Sequence, residues 1–338
     1  MFTNAAFKVM QNDANAKPPF DINPIPLSTE ERNHSSVTSF ILLGFTTDPK
    51  LQLLLFPVFT LIYIITLVGN VTLITVVRRS SQLHTPMYFF IGNLSFLDLC
   101  YSSVYIPKIL LNCISEDKSI SFAGCAAQFF ASAGSAGIEC YLLAAMAYDR
   151  HVAISNPLLY NAVMSKKLCM GLVAASYLNG FANSILTTSL TFNLSSCDSS
   201  IIDDFFCGLT PVVKLSCDVT DSCQLLLYFI LTYNVIIRSA LILTSYASIL
   251  VAVLKMHSSM GQRKAFSTCA THLVSITIYY GSILFIYARP SSSFVEGNKV
   301  VSVFYTVVIP MLNPFIYSLR NQEVREALKR LMRRQSAS

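Results

Sequence analysis

LQLLLFPVFTLIYIITLVGNVTLITVV, residues 51–77, contains no charged side chain and is closed by Arg78 and Arg79. An apolar helix of about 20 residues spans the hydrocarbon of a bilayer, so this run reads as a membrane span. Six more runs of the same character lie at roughly 87–111, 122–148, 168–192, 224–254, 266–288 and 300–319. Polar residues interrupt the second, third and seventh, and the fifth is long enough to tilt or to project past the membrane. Backbone amides find no partner in hydrocarbon, which favours helices throughout. A β-barrel would show alternation instead of continuous runs. The expected fold class is an all-α membrane protein, a seven-transmembrane helix bundle.

Composition points the same way. Hydrophobic residues make up 53% of the 338-residue chain and charged ones 12%, against about a quarter charged in soluble domains. So little charge cannot coat a water-facing surface. Residues 1–50 have no compact apolar run behind basic residues and carry Lys17, Pro18, Pro19 and Pro24, so they do not read as a secretory signal.

Loop charge sets the orientation. Alternate connections carry Arg78 and Arg79, then Lys166 and Lys167, then Lys255, Arg263 and Lys264, and the tail is basic from Arg320 to Arg334. The opposite loops hold few bases and many acids, among them Asp198, Asp203, Asp204, Asp218 and Asp221. The positive-inside rule therefore puts residues 1–50 outside as a tail, 51–319 in the membrane and 320–338 in the cytoplasm. The net charge of +6 is thus a topological signal: a lipid bilayer is the expected partner and nucleic acid is not. Within 321–334, NQEVREALKRLMRR places Val324, Leu328, Leu331 and Met332 on one face, which predicts a short amphipathic cytoplasmic helix on the membrane surface.

Ionisable groups are costly in lipid and mark candidate sites. Asp98 falls mid-way in the second span and Glu139 mid-way in the third, with Asn70 and Asn313 at similar depth in the first and seventh. Two neighbouring carboxylates bind a cation such as Na⁺ or share a proton. A hydrogen-bonded packing network with no ion has equal standing, and a proton-relay transporter would use the same acids. Arg150 follows Asp149 at the inner end of the third span, as a snorkelling arginine or as an ion pair that a ligand releases. Pro314 beside Asn313, with Tyr317 one turn on, reads as a hinge or as a plain kink.

The long loop 193–223 carries Cys197, Cys207, Cys217 and Cys223, and Cys125 opens the third span. Disulfides are expected there, with connectivity left open. Cys100, Cys113, Cys140, Cys169 and Cys269 lie in or near spans and read as packing residues. No spacing suits a zinc module. Of the N-x-S/T sequons, Asn70 and Asn93 fall inside spans, leaving Asn33 and Asn193 as glycosylation acceptors. No GxSxG, P-loop or HExxH motif appears, so the chain does not read as an enzyme.

Five motifs occur in register: LHTPMYFF at 83–90, MAYDRHVAI at 146–154, NPLLY at 156–160, KAFSTCATHL at 264–273 and PMLNPFIYSLRN at 310–321. Together they resemble the olfactory receptors, a branch of the rhodopsin-like G-protein-coupled receptors, from about Ser36 to Met332. The resemblance implies a Cys125–Cys207 bridge and a Cys197–Cys217 bridge within the loop. It implies a cytoplasmic switch of Asp149 and Arg150, with Tyr246 and Tyr317 as its inner-end partners on activation and Asn313 and Pro314 in the same activation set. It implies a mid-membrane site at Asp98, Glu139 and Asn313, with a possible structural Na⁺ and no other cofactor. The inner ends of the third, fifth and sixth spans, with LHTP and loop 255–264, would meet the G protein. Four features depart from the pattern: His151 for the usual Tyr, Ser155 for Cys, Gly208 for a frequent acid, and a longer N-terminal tail, which before about Asn33 is expected to play no part in sensing.

Mapped by the same resemblance, the ligand wall would be Ser132, Ala133, Ala136 and Gly137 of the third span and Ile230 and Asn234 of the fifth. Tyr280, Ile283 and Tyr287 of the sixth and Thr306 of the seventh would complete it. This wall is small, apolar and uncharged. Ser132 offers no carboxylate to an amine, and Lys299 lies at the edge of the seventh span, which disfavours a retinal Schiff base. A small, neutral, largely apolar volatile odorant fits best. The implied function is odorant detection at the plasma membrane, raising cAMP through a stimulatory, olfactory-type heterotrimeric G protein. A non-olfactory sensor of a small metabolite and an ion-coupled transporter remain as alternatives.

Overall fold

The computed structural model describes residues 38–194, 200–215, 221–254, 302–319 and 322–335, with isolated positions at 262, 277 and 299. Among the described residues four helices are long and apolar enough to cross a membrane: α1 (Pro49–Arg79), α2 (Pro86–Ile114), α3 (Phe122–Ser155) and α4 (Lys166–Phe192). A fifth, α5 (Asp221–Leu254), occupies the fifth expected span. Part of the seventh is helical over Ile309–Leu319, entered through a π-turn at Phe304–Val308. The expected sixth span, 266–288, lies outside the described residues except at position 277.

Local chemistry starts these helices where they begin. The Asp48 carboxylate accepts from the Lys50 amide at 2.9 Å ahead of Pro49. Ser121 and Ser165 cap α3 and α4 by accepting from the Gly124 and Leu168 amides at 3.0 and 3.3 Å. Several hydroxyls within the spans turn back on their own helices. Those of Thr66, Ser102 and Ser176 donate to carbonyls one turn earlier at 2.8 Å, so none enters lipid unpaired.

α3 is the hub. Most of its apolar length is buried, whereas α1 faces outward with Leu53, Leu61 and Val68 bare. Small residues let α3 and α4 approach closely. A Cβ on Gly180 would lie 2.4 Å from the Ile138 side chain, and Ser184 Oγ donates to the Phe130 carbonyl. α1 leans on the proline of the seventh span through Gly69, whose Cβ would meet the Pro314 ring at 3.2 Å. Phe90, Leu94, Ile138, Leu142 and Met146 form the main core.

Two features differ from the expected layout. Residues 1–50 read as a tail, yet Ser39–Leu42 form β1, the central strand of a sheet. It pairs antiparallel with β2 (Ser119–Ser121) and parallel with β3 (Ile201–Ile202), which caps one end of the bundle. Phe40 and Leu42 point inward, so the strand is fixed by burial as well as by its ladder. At the other end a helix over Gln322–Gln335 packs against the core through Val324, Ala327, Leu328 and Leu331. Met332, expected on that face, is 59% exposed. Its angular position falls at the stripe's edge, and Ala327 fills the buried turn.

Candidate functional site

Four layers of contacts run along α3. At the capped end a disulfide joins Cys125 to Cys207. Gln128, one turn on, accepts from the Cys207 amide at 2.9 Å and donates to the Val104 carbonyl at 3.2 Å, tying the loop to α2 and α3. Lys299 donates to Asp203 at 2.6 Å and to the Gly44 carbonyl at 3.1 Å. Gly44 has φ 74°, a left-handed turn that suits glycine, and its amide donates to the Asp204 carbonyl at 3.1 Å. Burial pushes the Asp204 carboxyl up to about 6 despite the Phe205 amide it accepts and the nearby Lys299. Phe205 stacks on Phe45 at 4.3 Å, and Phe206 meets Tyr105 edge-on at 5.3 Å. Cys197, Cys217 and Asn33 lie outside the described residues; Asn193 is exposed at the end of α4.

Below the cap comes the expected ligand wall. Ser132, Ala133 and Ala136 are half-buried on α3 and Gly137 is buried. Ser132 donates to the Phe129 carbonyl at 3.0 Å and pairs with the hydroxyl of the fully buried Tyr105. Thr306 is fully buried and donates to the Ser302 carbonyl at 2.6 Å within the π-turn. Ile230 and Asn234 lie on α5. Tyr280, Ile283 and Tyr287 lie outside the described residues.

Mid-way, Asp98, Asn70 and Asn313 are all buried, and Glu139 nearly so. Asn313 Nδ2 donates to Asp98 Oδ2 at 3.0 Å, and Asn70 Nδ2 donates to the Thr66 and Pro310 carbonyls, each at 3.0 Å. Glu139 is close enough to Asp98 to act on its charge. The Oδ1 atoms of Asn70 and Asn313 are buried without a hydrogen-bond partner among the described residues. Two carboxylates and two spare amide oxygens make a donor set of oxygens alone, which fits a hard cation.

At the far end Asp149 is fully buried and paired with Arg150, whose Nε donates to Asp149 Oδ2 at 2.9 Å. The other carboxylate oxygen accepts from the Tyr160 hydroxyl at 2.7 Å. Burial and this acceptor raise the Tyr160 phenol above its usual value. Tyr317 sits in the main core, and Tyr246 packs beside Ile249, Val253 and Ile154. The turn between α3 and α4 leaves Leu158 98% exposed.

A family model described as olfactory receptor matches residues 59–335. The chain belongs to the olfactory receptor family. Olfactory receptor 9G19 of Mus musculus is 60% identical over 304 residues, covering 90% of this chain and 100% of that protein. Olfactory receptor 9G9 of Homo sapiens is 61% identical over 303 residues, covering 89% of this chain and 99% of its own length. The olfactory receptor-like protein OLF1 of Canis lupus familiaris is 51% identical over 302 residues, at 89% and 97% coverage. The family is one of membrane receptors, not of enzymes.

Two of this olfactory receptor's departures from the family pattern turn out to be partners. His151 Nδ1 and Ser155 Oγ lie 3.2 Å apart, one turn from each other on α3. The two side chains therefore pair with each other along the helix. Sequence reading missed Gln128, Tyr105 and Tyr160. Tyr160 closes the quoted NPLLY motif, but its reach back to Asp149 crosses a turn and leaves no periodic trace.

Proposed function

We propose that this chain is an odorant receptor of the plasma membrane. Small, neutral, largely apolar volatiles bind among the upper turns of seven spans, below the disulfide-pinned cap. Binding activates a stimulatory, olfactory-type heterotrimeric G protein and raises cAMP. The capped end, with Cys125, Cys207 and Asn193, faces outside; the end bearing Arg78, Arg150, Lys166 and the Gln322–Gln335 helix faces the cytoplasm, as loop charge directs.

The observation that carries this reading is the Tyr160–Asp149–Arg150 lock at the basic end of α3, in a chain of this family. The lock supplies a resting state. Ligand acts by preferring the unlocked arrangement, in which Arg150 turns toward Tyr246 and Tyr317 and a cleft opens beside α3 and α5. Taking such a state from rare to dominant requires a preference of about 5 kcal/mol. Leu158 stands bare beside the lock and offers an apolar contact for the G protein. Asp98, Glu139, Asn70 and Asn313 would hold a sodium ion, which offsets the buried carboxylate charge and braces the resting packing.

The test is cAMP in cells expressing the full chain with an olfactory G protein, screened against neutral volatiles with surface expression verified. The reading expects agonists whose response falls selectively in Tyr287→Phe. A surface-expressed receptor silent to every volatile but responsive to a charged metabolite would overturn it.

A further inference from the structure

A cavity of about 450 Å³ opens at the basic end, between the close of α1, the turn at Ser81–Leu83 and the starts of α2 and α4. It is not part of the ligand wall, the sodium cluster or the lock. Its floor is apolar and closed: Leu83 is 0% exposed and Met164 4%. Its lip is apolar and open, formed by Phe89 of α2 and Met170 of α4, which are 39% and 57% exposed. Arg78, from the close of α1, and Lys166, from the start of α4, both line it, and no acid does among the described residues. Neither cation forms an ion pair among the described residues. The turn that carries the cleft is set, because the His84 ring nitrogen lies 3.2 Å from the Arg78 carbonyl oxygen.

Two unspent cations call for an anion. A bare soluble anion would make no use of an open apolar lip that continues onto the outward faces of α2 and α4, whereas a phospholipid uses both parts. We propose that this cleft is a binding site for an anionic phospholipid, its phosphate between Arg78 and Lys166 and its acyl chain leaving over Phe89 and Met170. Held there, the lipid ties the LHTP turn to the start of α4, one short turn from Tyr160. The proposal rests on the orientation given above only for which leaflet supplies the lipid.

The test uses the purified full chain in phosphatidylcholine nanodiscs doped with phosphatidylserine that carries a photoreactive diazirine on its acyl chain. Labelled peptides are mapped without odorant or G protein, so the outcome is separate from the signalling reading. Labelling is expected on the peptides carrying Phe89 and Met170. It should fall roughly tenfold or more in the Arg78→Gln/Lys166→Gln double variant, and a phosphatidylcholine probe should label only at that lower level. Met170→Trp, which narrows the lip and leaves the charges, should also exclude the probe and serves as the second variant if the double variant misfolds. Equal labelling by the two lipids, labelling that survives Met170→Trp and the double variant, or competition by inorganic phosphate would each overturn the proposal, the last by assigning the cleft to a free anion.

Discussion

The Tyr160 hydroxyl spends its hydrogen bond on a carboxylate that also holds Arg150. Removing it leaves one oxygen of a fully buried Asp149 without that donor. A hydrogen bond to a charged group contributes about 1.5–3 kcal/mol, so Tyr160→Phe is expected to raise ligand-free cAMP by about tenfold or more at matched surface expression. An unchanged or lowered basal signal would remove Tyr160 from the lock. Asp204 gives a prediction in pH. Burial raises its carboxyl from 3.8 to about 6, so the folded cap binds the proton more tightly than the unfolded chain does. The cap is therefore most stable in acid, and that gain is lost as pH rises through about 6. The thermal midpoint of the purified receptor should rise from about pH 7 to about pH 5 by more than that of Asp204→Asn. Asp149 and Arg150 were legible because charge in a span stands out. Tyr160 and Gln128 were not, since their partners lie 11 and 79 residues away and nothing local announces them.

Helix placement shows why the apolar runs were readable. The first five expected spans coincide with α1 to α5 within a few residues, or a turn or two where polar ends such as Asp149–Ser155 continue the helix. Length and apolarity fix a span, while packing fixes its partners, and those depend on single small residues. Gly180 is one: a Cβ would press into Ile138, and overpacking costs about 1–3 kcal/mol. Gly180→Ala should lower the thermal midpoint and surface level, whereas Gly171→Ala, with nothing within 4 Å of the added carbon, should not. Equal effects would mean that the α3–α4 crossing is not set by close approach. The helix over Gln322–Gln335 is clipped to the bundle by Tyr88, which donates to Glu323 at 2.8 Å, and by Arg330, which donates to Gln82 at 2.9 Å. Tyr88→Phe should speed hydrogen exchange across Gln322–Gln335 and leave α3 unchanged. β1 escaped the sequence reading because four residues carry too little alternation to tell a strand from a tail.

Taken end to end, the chain places a disulfide-pinned cap at one end of α3 and the Asp149–Arg150 ion pair at the other, with a buried polar cluster between them. A ligand that binds near α3 below the cap reaches the lock through one continuous helix. The proposed ligand class rests on an uncharged wall, and the ligand's identity depends on side chains of the sixth span that pattern alone does not orient. The decisive measurement is guanine-nucleotide exchange on a stimulatory G protein by the purified receptor in nanodiscs, with and without an agonist volatile. Exchange should accelerate with the volatile in the wild-type chain and stay at the ligand-free rate in Arg150→Ala and Leu158→Asp. Exchange that ignores the volatile, or that persists undiminished in Arg150→Ala, would contradict a ligand-released lock.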